Sequence, residues 1–189
     1  KVVIDGTTTN RKVNLREAKE KYDTYSIYLK ENIFKEQSYF GKLSIISNLF
    51  KTANILFNKD PDNHIIRFYL GYCYYYGYGT EQDYKMVYEL FKFTFDINEK
   101  NPIDYYFLES RYLLGLCYFH GYVVPKDLNI ALNLFKYSAL EYMPKSKYAL
   151  AITTLLLNLE RNPKEIFELL EKSALKGYLP AVRKVMLCL

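Results

Sequence analysis

Apolar residues recur at i, i+4 and i+8 in successive pairs of blocks, with a short break inside each pair. That period is one face of a helix, so each pair of blocks predicts two antiparallel helices joined by a turn. Asp83…Val87…Phe91…Phe95 is one such block, Asp127…Ala131…Phe135…Ala139 a second, and Asn162…Ile166…Leu170…Ala174 a third. Asp83 and Asp127 stand where an N-cap carboxylate accepts the free N–H groups of a first helical turn. Pro163 suits the first position of a helix, where its missing N–H costs no bond. Lys42–Phe57 and Leu15–Phe34 carry the same helical pattern, and residues 1–12 read as an extended lead-in.

The blocks repeat in sequence as well as in pattern. Arg67–Gly77 aligns with Arg111–Gly121 at an offset of 44, with identities at Arg, Leu, Gly, Cys, Tyr and the final Gly. A weaker copy, Lys147–Leu157, follows 36 residues later, and Met143-Pro144 recurs as Leu179-Pro180. The unit is therefore 35–36 residues long, with an insertion of about eight around Asn98–Tyr105. One helix pair cannot bury its own apolar face, so such units stack into a superhelix with a concave surface. The prediction is an all-α solenoid of about four antiparallel helix pairs. A lead-in at 1–12 precedes one domain over 13–189, with diverged units at 13–62, repeats at 63–104, 105–143 and 144–179, and a truncated helix at 180–189.

Leu-Gly-x-x-Tyr-x-x-Gly followed by Asp-x-x-x-Ala/Val-x-x-x-Phe resembles the Sel1-like repeat, a relative of the tetratricopeptide repeat. Leu70, Gly71, Tyr74, Gly77, Gly79, Asp83 and Phe91 carry the resemblance in one unit. Leu114, Gly115, Tyr118, Gly121, Asp127, Ala131, Phe135 and Ala139 carry it in the next, and Ala174, Gly177 and Ala181 in the third. The third departs at Ala151, Thr154 and Leu157, where the pattern has Gly, Tyr and Gly. The resemblance implies a non-enzymatic scaffold whose groove holds a protein partner, as in signalling, protein quality control or activation of fungal cell-wall synthases.

The residue types make physical sense without the family. Gly71 and Gly115 lack a Cβ and let the backbone of the partner helix approach, while Gly77 and Gly121 sit where a helix end needs positive φ. Tyr74 and Tyr118 add broad packing surface with a hydroxyl for the margin. Each first helix carries two stripes. Ile66, Leu70, Cys73 and Gly77 form one, and Phe68, Tyr72 and Tyr75 the other, with Tyr112, Leu116, Phe119 and then Tyr148, Ile152, Leu155 as its later copies. The second stripe is read as a docking surface or as packing on the neighbouring unit. Arg67, Arg111 and Lys147 share one position in three units and read as a basic ladder for an acidic peptide or as a solvated helix face.

Composition narrows the chemistry. Half the 189 residues are apolar, and 21 Tyr and 12 Phe with no Trp favour packing over disorder. The formal charge of +5 is not concentrated: residues 1–51 carry +4, 52–110 carry −4 and 111–189 carry +5. The acidic middle weighs against a nucleic-acid track, although a pentatricopeptide-like RNA reader of the same period is the alternative. Cys73, Cys117 and Cys188 are sparse and odd in number, which suits reduced thiols and a cytoplasmic location. Stacked helices would hold Cys73 and Cys117 about 8–10 Å apart, beyond the ~7 Å reach of a disulfide. His64 and His120 lack a ligand at helical spacing and read as surface histidines. No nucleophile–base pair, phosphate loop, cofactor motif or stretch of the ~18–20 apolar residues needed to span a membrane appears. An enzyme therefore has nothing to rest on.

Overall fold

The computed structural model describes residues 43–95, 105–139, 143–157 and 163–188. The lead-in, the helix expected at Leu15–Phe34 and the insertion before Tyr105 lie outside them. Among the described residues there are eight α-helices and no strand: α1 Leu43–Lys59, α2 His64–Tyr76, α3 Tyr84–Phe91, α4 Tyr105–His120, α5 Leu128–Ser138, α6 Pro144–Leu156, α7 Pro163–Leu175 and α8 Leu179–Met186. A 3-10 turn, Lys92–Phe95, extends α3. They fall into two compact units, one within 39–138 and one within 139–189.

In the first unit, α2 packs on α3 and α4 on α5, while α1 packs on α2, and α4 also contacts both α2 and α3. Local chemistry sets the boundaries. Asp83 accepts the N–H groups of Lys85 and Met86 at 2.9 and 3.0 Å, and Asp127 those of Asn129 and Ile130 at the same distances. Asn63 caps α2 in the same way, through the N–H groups of Ile65 and Ile66. Gly77 and Gly121 close α2 and α4 at φ 71° and 74°, the left-handed region where a side chain is strained. The chain then turns back on itself: the Asp83 N–H donates to the Tyr74 carbonyl at 3.1 Å and the Asp127 N–H to that of Tyr118 at 3.0 Å.

Gly71 and Gly115 are the points of closest approach, but what approaches is an aromatic ring. A Cβ on Gly71 would lie 2.6 Å from Cε1 of Phe91, and one on Gly115 would lie 2.6 Å from Cε1 of Phe135. This corrects the expectation that the glycines admit a partner backbone. Both rings are fully buried, so the Gly and Phe of the repeat signature are two halves of one contact.

The second unit solves the same problem with other residues. Ala151 and Leu170 take the places of the Gly and Phe and share a buried cluster with Ile166, Ala174, Ala181, Val182 and Val185. A methyl is added on one side where a ring shrinks to a leucine on the other. Thr154, in the tyrosine position, spends its hydroxyl on the Leu150 carbonyl at 2.8 Å. Leu157 closes α6 at φ −81°, so no glycine is needed there. The Ser173 hydroxyl donates to the Pro144 carbonyl at 2.6 Å and ties α7 to the start of α6.

Candidate partner-binding face

The residues of the expected groove separate once their neighbours are placed. Phe68 is buried, with the Tyr106 and Tyr105 rings of α4 at 5.3 and 6.3 Å. It packs on the neighbouring repeat. Tyr112 is buried and Phe119 half-buried, their rings 5.8 and 6.2 Å from Phe135. Both therefore pack against the ring that fills the Gly115 gap. Tyr72, Tyr75 and Leu116 stay half-buried. Tyr72 lies 4.6 Å from Tyr76, itself 37% exposed, and Tyr75 meets Tyr84 edge-on at 5.6 Å.

The three basic positions are engaged in packing rather than open as a ladder. Arg67 donates to the Pro61 carbonyl at 2.6 Å and to Asp62 at 3.1 Å, with its guanidinium 5.1 Å from the Phe93 ring centre. Arg111 is buried, donating twice to the Thr94 carbonyl at 3.1 and 2.9 Å, and stacks over Phe107 and Tyr137. Lys147 is buried in the second unit. Both arginines bond a backbone carbonyl, Arg67 one just ahead of its own helix and Arg111 one in the 3-10 turn that extends α3.

Tyr74 meets Phe50 edge-on at 5.4 Å, and the hydroxyls of Tyr118 and Tyr88 lie 3.4 Å apart. Tyr69 donates to Tyr106 at 3.3 Å between consecutive first helices. Repeat thus meets repeat through tyrosines. Periodicity in the first helices alone missed Tyr76, Tyr84 and Tyr122. The last had a signal, because Tyr78 and Tyr122 each follow a helix-closing glycine at the offset of 44.

Cys73 and Cys117 are buried free thiols on the face of α2 and α4 that packs inward. Burial pushes their pKa from the ordinary 9.0 up to about 11 and about 12. The thiol form is thus held at neutral pH, and both should react with a disulfide reagent only after denaturation, while half-buried Cys188 reacts in the native chain. The unfolded thiols ionise first, so this contribution to stability is complete below pH 9.0 and is lost as pH rises toward the folded values. Equal reactivity of all three thiols in the native protein would contradict the burial. His120 stacks on Tyr122 at 4.8 Å, and burial, then Lys126, lowers its pKa. Among the described residues no cluster of His, Cys, Asp or Glu could hold a metal, and no helix is long and apolar enough to cross a membrane.

Comparison with known proteins places this geometry. The sequence profile of the Sel1 repeat matches residues 67–92, 108–141 and 144–178, which together make up half of the chain. The third match takes in Ala151, Thr154 and Leu157. The fold is similar to the crystal structure of a Sel1 repeat protein from Oxalobacter formigenes, with a TM-score of 0.51 and 21% identity over 72% of this chain. The chain spans 58% of the length of that structure. A search of curated proteins finds no match. Helix pairs closed by glycine, capped by aspartate and locked by a Gly–Phe contact make the fold class an α-α solenoid, and the chain belongs to the Sel1 repeat family.

Proposed function

We propose that this chain is a non-enzymatic scaffold that captures a protein partner on the aromatic face of its first helices. Sel1 repeats commonly serve as protein–protein interaction scaffolds, which supports the general reading. The observation that carries it to a face is the set of half-buried tyrosines left over after the Gly–Phe contacts are made. Tyr72 and Tyr75 lie on α2 beside the exposed Tyr76, with Leu116 on α4. Tyrosines of this kind bring large, rigid contact area at low entropic cost and dominate many interfaces. Phe68, Tyr112, Phe119, Arg67 and Arg111 then support the face from behind rather than touch the partner, and Lys147 is buried within the second unit.

The test starts from a partner captured by the immobilised chain, identified by mass spectrometry and purified. Tyr72→Ala with Tyr75→Ala should weaken its binding about tenfold or more while helical content persists. Undiminished binding would move the contact to another face. Raising salt should change partner affinity little; a steep fall, together with binding to single-stranded RNA, would favour the RNA-reading alternative.

A further inference from the structure

We propose that Tyr84 and Tyr122 form an oxidative cross-linking site, a stacked pair that couples to dityrosine when a peroxide is supplied with a one-electron oxidant of the peroxidase class. Tyr84 is the first residue of α3, and Tyr122 follows Gly121 at the end of α4, so the two belong to successive repeats. Their ring centres are 4.0 Å apart and the planes differ by 16°. That is closer than the tilted Tyr72–Tyr76 pair at 4.6 Å and 49°, or the parallel Tyr76–Tyr78 pair at 5.4 Å and 19°. It is also shorter than the about 4.5–7 Å usual for aromatic pairs.

The near-parallel stack holds the two phenols ring against ring, the arrangement that radical coupling between them needs. Burial, then the neighbouring Tyr84 phenol, raises the pKa of Tyr122. His120 stacks against Tyr122 at 4.8 Å and 20°, and Tyr75 meets Tyr84 edge-on, which limits rotation of either ring. Tyr122 is 42% exposed and open to the oxidant.

The chemistry balances. Each phenol gives up one electron and one proton, and the two phenoxyl radicals join through a new carbon–carbon bond between ortho carbons. The hydrogens on those carbons move to the oxygens as the rings regain aromaticity. Hydrogen peroxide takes the two electrons and two protons and becomes two waters. The product would tie α3 to the end of α4 covalently, beside the weaker Tyr88–Tyr118 hydroxyl contact.

The experiment treats the dilute chain with peroxidase and limiting hydrogen peroxide, then follows dityrosine fluorescence and maps linked peptides by mass spectrometry. The expected product is a monomer lighter by two hydrogen atoms, with a peptide joining Tyr84 to Tyr122. Tyr84→Phe and Tyr122→Phe keep the stack but remove the phenol, so each should abolish that peptide, while Tyr76→Phe should leave it in place. Both variants should melt like the parent, which separates lost chemistry from lost folding. Undiminished fluorescence in either Phe variant, or cross-links spread over other tyrosines or between chains, overturns the assignment.

Discussion

Gly115→Val unfolds the 39–138 unit or lowers its melting point sharply. The new Cβ would sit 2.6 Å from Cε1 and 2.9 Å from Cδ1 of Phe135, a ring with no exposure that is flanked by Tyr112 and Phe119. Closely packed neighbours leave the ring little room to move aside. Overpacking a core of this kind costs about 1–3 kcal/mol or more, from a total stability of about 5–15 kcal/mol for a domain. The sign is informative even for alanine. In an open helix Gly→Ala gains about 1 kcal/mol, so a loss at Gly115 measures the ring directly.

The second unit supplies the compensation, since Ala151 and Leu170 occupy the same two places. Phe135→Leu alone should cost about 2 kcal/mol through the cavity it leaves. Combined with Gly115→Ala, it should recover at least about 1 kcal/mol relative to the sum of the single changes. Urea titration of the four chains decides it. Strict additivity would mean that the glycine and the ring do not meet.

Arg111→Ala should destabilise the same unit by about 3 kcal/mol, with faster amide exchange concentrated at Lys92–Thr94. Two hydrogen bonds from a cation hold the Thr94 carbonyl, and Thr94 has no exposure to recruit water in their place. The guanidinium plane also loses its seats over Phe107 and Tyr137. Arg111→Lys keeps the charge but neither the fork nor the plane, and should restore only part of the loss. Exchange at Lys92–Thr94 unchanged from the parent would show that the arginine does not hold that turn.

Much of this was legible in order along the chain. Asp83 and Asp127 cap, Gly77 and Gly121 close helices at positive φ, and Pro163 begins α7 as its sequence position implies. These are local matters: a cap bonds two or three residues away, and a closing glycine bonds within its own last turn. The 44-residue echo of Gly71 and Phe91 marked Gly115 and Phe135 as repeat positions, but that the glycine admits the ring rather than a backbone came from the structure.

The candidate face was less legible. Phe68 has the same helical phase as Tyr72 and Tyr75, but α4 covers it with Tyr105 and Tyr106 and leaves the other two half open. Arg67 and Arg111 look like exposed cations in sequence because a charge on a helix usually faces water; each instead found a carbonyl and a ring. Caps, closures and helix pairs were determined by the sequence alone, because their partners lie within one repeat and periodicity reports them. Which stripe is covered, which arginine is buried and which tyrosines stack was decided only by the tertiary structure, because each depends on a neighbouring helix whose placement no local pattern encodes.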